Sequence, residues 1–214
     1  MRKDSVCVVM GTPHRMREPG KQNPDGRLKE CVYGREIVSE VAAALQDMGY
    51  RCIIDYTPLD LPKYMQTDEV KVERQRELNM RVKFVNEVCD KYGARNVLYV
   101  SVHVNASGCD GQWHDPHGWS VFVCQKASKE SRVLADCLYD AANAYGLHMR
   151  QPAPQQKYWE QELYVLAKTK CPAVLTENLF QDNREDVRFL FSEEGRHIIE
   201  RLHVEGIVKY IESL

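Results

Sequence analysis

Short valine-rich runs alternate along this chain with longer stretches of helical periodicity, and that alternation restricts the fold more than any other feature. Apolar runs at residues 5–10, 51–56 and 96–103 are separated by residues 33–48 and 70–91, which read as helices. In the first of these helices Ile37, Val41, Ala44, Leu45 and Met48 share one face, and Gly49 supplies the stop. Strands at 118–124 and 172–179 and helices at 129–145 and 193–211 continue the pattern. Such an order predicts an α/β sandwich, with helices covering a sheet. Residues 57–67, 108–117 and 147–161 read as loops, rich in proline, glycine or histidine.

With 214 residues, 43% of them hydrophobic, the chain can build one ordinary core, and one domain over residues 1–214 is expected. Lys+Arg of 29 against Asp+Glu of 31 leaves a net charge of -2, which offers no general attraction for nucleic acid or anionic membranes. No stretch approaches the roughly 20 apolar residues that cross a bilayer, so no stable membrane insertion is expected. The first apolar run is too short for the core of a secretory signal, which points to synthesis in the cytoplasm without a signal peptide. Eight cysteines include no Cys-x-x-Cys pair; most read as buried thiols, with Cys109 in a glycine-rich loop as the exposed exception.

In an open α/β sheet, polar residues just beyond the strands' carboxyl ends meet in one crevice. Three such ends stand out: the first run enters Gly11-Thr12-Pro13-His14, another ends at His103-Val104-Asn105, and a third at Glu177-Asn178. Glu30 joins them if it opens the first helix. Two imidazoles and a carboxylate, from His14, His103 and Glu30, form a ligand set for Zn2+ with one tetrahedral position open, which suits catalysis. Glu177 is then the candidate acid/base, taking a proton from zinc-activated water and returning it to a departing amine.

Each residue also has a plainer reading. His14 could cap a loop, Glu30 could complement the helix dipole, and Glu177 could close a salt bridge. His114 and His117 form a rival His-x-x-His on a loop, Glu18 rivals Glu30 by its nearness to His14, and Glu36 and Glu40 suit a solvated helix face beside Arg35. His148, His197 and His203 lack carboxylate partners at useful spacing. Arg150, Lys157, Tyr158 and Trp159 suit either substrate binding or the anchoring of a loop.

The run Ser101-Val102-His103-Val104-Asn105-Ala106 resembles the Ser-Ile-His-x-Asn-Ala signature of zinc-dependent N-acetylmuramoyl-L-alanine amidases of the amidase-3 type, found in bacterial cell-division enzymes and in phage or prophage endolysins. Residues 172–183, with Asp186 just after, resemble its second signature, and Arg81 and Asn86 stand where that family has an Arg and an Asn. The resemblance implies a three-layer α/β/α fold around a twisted, mostly parallel sheet, zinc ligands at His14, Glu30 and His103, and catalysis by Glu177. It implies a hydrolase that cuts the bond between N-acetylmuramic acid and L-alanine in peptidoglycan, acting on the cell wall after membrane breach. A non-catalytic wall-binding or virion module, or a zinc hydrolase of another substrate, is the alternative. Two departures accompany the likeness: Gly11-Thr12-Pro13-His14-Arg15 replaces the family's Gly-His-Gly-Gly, and Asn178-Leu179 replaces a small residue and Gly.

Overall fold

The computed structural model describes residues 5–214. Among them, six strands and six α-helices follow in the order β1 (Cys7–Gly11), α1 (Glu30–Asp47), β2 (Arg51–Ile54), α2 (Val70–Tyr92), β3 (Val97–Asn105), β4 (Ser120–Val123), α3 (Lys129–Ala144), β5 (Trp159–Glu160), α4 (Tyr164–Lys168), β6 (Ala173–Phe180), α5 (Arg184–Phe191) and α6 (Glu193–Glu212). The strands form one sheet in the order β2-β1-β3-β6-β4-β5. Neighbours pair in parallel except β4 and β6, which are antiparallel.

Alternation along each central strand sorts its side chains between two layers. Val6, Val8 and Met10 join Leu98, Val100 and Val102 in a core under α1, α3 and α6; Cys7 and Val9 join Val97 and Tyr99 in a second core under α2 and α4. Strands covered on both faces read as continuous apolar runs, which is why β1 and β3 are legible in the sequence. The result is the expected three-layer α/β/α arrangement.

Gly49 at φ +87° ends α1, where a side chain would be strained. Gly34 has a different reason: a Cβ there would stand 2.3 Å from the Pro13 ring, so only glycine lets the chain after β1 lie against α1. That close approach sets His14 near the start of α1.

Several elements differ from the expectation. Helix α1 begins at Glu30, three residues early, because Glu30 N–H already bonds the Lys21 carbonyl at 3.0 Å. Helices α4 and α5 were not expected; α5 is capped by Asn183, whose side chain accepts from the N–H groups of Glu185 and Asp186. Residues 147–161 are a loop except for β5, which pairs with β4. All eight cysteines are free thiols, and only Cys109 is exposed.

Candidate metal centre and catalytic rim

Three elements deliver the candidate ligands to one place. His14 follows β1, Glu30 opens α1, and His103 lies near the end of β3. One ligand atom from each lies within 4.8 Å of the other two, and theirs is the group able to hold a metal among the described residues. His103 Nδ1 stands 2.9 Å from Glu30 Oε1, and His14 Nε2 is 3.5 Å from that same oxygen. The two imidazoles meet edge to face, with centroids 5.0 Å apart. His103 Nε2 faces the Ser101 hydroxyl at 3.1 Å, a partner that fixes the ring while Nδ1 points inward.

Charge at the cluster favours a cation. Glu30 is fully buried, and although burial opposes its ionisation, His14, Lys21 and the hydrogen bond from His103 hold its carboxyl below the usual range. Burial pushes the His14 imidazole well below its ordinary pKa, so the ring is neutral and its lone pair free to bind a metal. Glu177 pairs in register with His103, and its Oε2 is buried without a hydrogen-bond partner. Burial first, and then the Glu30 charge, raise the Glu177 carboxyl to about 8 against the pull of Lys21. Glu30 Oε2 and Glu177 Oε2 are both buried without a hydrogen-bond partner beside the His14 and His103 nitrogens. That donor set fits Zn2+.

The second signature builds the floor of this site. Between His103 and Asn105 on β3, β6 advances from Glu177 to Phe180, so it carries one extra residue, and Leu179 takes φ +65° there. Glycine, the residue that the resemblance implies at this point, would take that conformation without strain. Asn178 donates to the His103 carbonyl at 2.9 Å and accepts from the Trp119 indole at 2.7 Å, holding both strands beside the bulge. Asp186 accepts from Phe180 N–H and Gly118 N–H.

The loop that lacks the Gly-His-Gly-Gly pattern is held by buried ions instead. Arg35 donates to the carbonyls of Pro13, His14 and Cys31 at 2.8, 2.9 and 2.8 Å, tying the His14 turn to α1. Arg15 pairs with Glu18, Glu73 and Glu77. Arg81 bridges Asp55, Glu77 and the Thr12 hydroxyl, joining α2 to the ends of β1 and β2. Asp55 stands just past β2, so the strand-end rule that found Glu177 applies to it too. Lys21 and Arg35 carry no such signal, because neither stands at the end of a strand.

The rival residues are elsewhere. His114 bonds Asp110, and the His117 ring lies tilted against that of His148, with centroids 4.3 Å apart. Glu18 is taken by Arg15 and Arg74, and Glu36 and Glu40 both hold Arg196. His197 does have a carboxylate partner, Glu200 at 3.7 Å, contrary to expectation, while Glu36 and Glu40 are exposed as expected and Arg35 beside them is buried. Arg150 lies 4.6 Å over the Phe180 ring and accepts from Trp159 at its carbonyl, while Lys157 pairs with Asp140, contacts that anchor the loop. Asn86 clamps the backbone of Lys168 and Lys170. A cavity of about 730 Å3 beside Cys171 and Pro172 lies at the opposite end of β6 and has no part in this cluster.

The sequence matches the N-acetylmuramoyl-L-alanine amidase family over residues 6–209. The chain belongs to that family. An endolysin of Bacillus phage SPP1 is 27% identical over 143 residues, 67% of this chain and 51% of that protein. The chain spans about half the length of the curated relatives it matches. An N-acetylmuramoyl-L-alanine amidase from Clostridium difficile 630 superposes with a TM-score of 0.78 at 18% identity, covering 99% of both chains. The CwlD amidase of Clostridioides difficile, solved with the GerS lipoprotein, gives 0.76 at 20% identity, covering 98% of this chain and 100% of its own. At these identities the amidase structures share the fold with this family member.

Proposed function

We propose that residues 1–214 act as one catalytic unit that hydrolyses the amide between the lactyl group of N-acetylmuramic acid and L-alanine in peptidoglycan, in the manner of an endolysin. The observation that carries this reading is the meeting of His14, Glu30 and His103 beside Glu177, in a chain of the amidase family. Peptidoglycan is the substrate and the cell wall the place of action. No helix of the described residues is long and apolar enough to cross a membrane.

His14, Glu30 and His103 would hold Zn2+. Bound there, the ion supplies Lewis acidity, polarising the scissile carbonyl and bringing the pKa of water to about 7. Glu177 Oε2, buried and without a donor, is the oxygen that takes a proton from the attacking water and returns it to the L-alanine nitrogen as the amide opens. Ser101 keeps the His103 ring turned toward the cluster, and Arg35 keeps the His14 turn against α1. The apolar side of a cavity of about 300 Å3 next to the cluster, made by Leu78, Leu163, Val165 and Leu175, limits access of bulk water.

Two substitutions separate ligand from acid/base. Glu177→Gln retains stoichiometric zinc by metal analysis and releases stem peptides from purified peptidoglycan at least 100-fold more slowly, a loss of about 3 kcal/mol in transition-state stabilisation. His103→Ala loses zinc and turnover together. Release of stem peptides by Glu177→Gln at the unaltered rate would remove Glu177 from the mechanism.

A further inference from the structure

Lys21 lies on the segment between His14 and Glu30, and its backbone is held on both sides. Its carbonyl accepts from Glu30 N–H at 3.0 Å, the next residue, Gln22, bridges to Lys29, and the preceding Gly20 carbonyl accepts from the Gln181 amide at 2.8 Å. From that anchored position the side chain reaches Glu30, its ammonium 3.5 Å from Oε2, while remaining 30% exposed. Burial is the largest influence on the ionisation of Glu30, Glu177 and His14, but each also feels the Lys21 charge, which favours the two carboxylates and disfavours a proton on the imidazole. Lys21 also lines the cavity of about 300 Å3 next to the cluster, together with His14 and His103.

Other polar groups on this cavity wall are already matched within the fold. Arg81 is met by Asp55 and Glu77, and Arg74 by Glu18. The Tyr164 hydroxyl donates to Asn79 at 2.6 Å, and the Thr12 hydroxyl to the Tyr56 carbonyl at 2.7 Å. Lys21 differs, because the carboxylate it pairs with is Glu30, itself a candidate metal ligand. A divalent cation held by that carboxylate takes up its charge and repels an ammonium beside it. Lys21 then stands on the wall of the cavity as a cation whose counter-charge must come from the substrate.

We propose that Lys21 is a further catalytic residue, whose ammonium donates to the scissile carbonyl oxygen as negative charge develops there. This inference rests on the amidase reading. As water adds, its oxygen bonds to the carbonyl carbon, its proton passes to Glu177, and the carbonyl π pair moves onto the oxygen, where Lys21 meets it. When that pair returns, the C–N bond breaks and the proton held by Glu177 goes to the L-alanine nitrogen. An ammonium aimed at charge that the ground state lacks lowers the barrier without tightening substrate binding. The same ammonium opposes a cation at Glu30. Removing it should therefore act in opposite directions on turnover and on metal affinity.

Lys21→Gln keeps most of the side chain's reach and removes its charge. On soluble muropeptides it should lower kcat about 100-fold with KM within about twofold of the unaltered chain. In competition with a chromophoric chelator it should bind zinc about threefold more tightly or better. Lys21→Arg restores the charge and should keep kcat within about tenfold and zinc affinity within about twofold. A rise in KM at constant kcat would mean that Lys21 holds a carboxylate of the stem peptide, and an unchanged kcat that it touches no reacting atom. Weaker zinc binding by Lys21→Gln would mean that Lys21 shapes the cluster. Each of these three results overturns the assignment. If Lys21→Gln fails to fold, Lys21→Met is read in its place by the same two assays. Should the unaltered zinc-loaded chain release no stem peptide, the amidase reading fails and takes this assignment with it; should it do so and Lys21→Gln be equally fast, the assignment fails alone.

Discussion

Protonation of His203 should cost this protein stability at mildly acid pH, by an amount that its surroundings allow to be worked out. The ring on α6 is fully buried; its Nδ1–H donates to the Ile199 carbonyl at 2.7 Å, and its Nε2 accepts from the Thr176 hydroxyl on β6 at 2.8 Å. Neutral, it is satisfied at both nitrogens. Burial outweighs the help of the Ile199 carbonyl and pushes its pKa down from 6.5 to about 4. Between those values the unfolded chain binds the proton and the folded one does not, so stability is complete above pH 6.5 and is lost as pH falls toward 4. From pH 7 to pH 5 the loss is about 2 kcal/mol, and the full shift corresponds to about 3 kcal/mol. His203→Gln removes the titration but cannot reproduce both contacts, so at pH 7 it should be less stable by about 1–3 kcal/mol. Urea denaturation of the metal-free proteins at pH 7 and pH 5 should show the gap between unaltered chain and variant shrinking by about 2 kcal/mol. His14, also depressed, titrates in both proteins and cancels in the difference. A gap that stays the same at the two pH values would refute the reasoning.

Two further perturbations test how the site is built. At Leu179, held at φ +65° and 4% exposed, Leu179→Gly removes about 1–2 kcal/mol of backbone strain while losing side-chain burial, whereas Leu179→Ala loses the burial and keeps the strain. Leu179→Gly should therefore unfold at higher urea than Leu179→Ala, and the reverse order would show that the bulge is unstrained. Arg35→Gln leaves carbonyls of Pro13 and His14 unmet; it should lower stability by about 1–3 kcal/mol and weaken zinc binding about tenfold or more, read by competition with a chromophoric chelator. Unchanged zinc affinity would mean that the His14 turn holds itself.

Legibility of the site followed the locality of each signal. His14, His103 and Glu177 are legible as candidates because each stands at or just past the end of an apolar run, and Glu30 because it precedes a periodic stretch. Arg15 and Arg35 are not, although they fix the His14 turn, because charged residues ordinarily face water, and their carboxylate and carbonyl partners come from residues up to 62 positions away. Helix α5, with eight residues, is too short for its periodicity to stand out from the polar signature that contains it.

The sequence by itself determined which segments are strands buried on two faces, which are helices buried on one, and which polar residues would stand near the sheet's edge, because these are properties of spacing within a few residues. Tertiary structure alone decided the rest. A four-residue strand such as β4 reads the same in either direction, and its antiparallel pairing with β6 emerges only when the chain closes. Likewise, the bulge at Leu179 exists only in the register of β6 against β3, and the neutrality of His14 and the raised pKa of Glu177 exist only once packing has removed water from both. Desolvation and register depend on what is brought alongside, and no run of neighbouring residues contains that information.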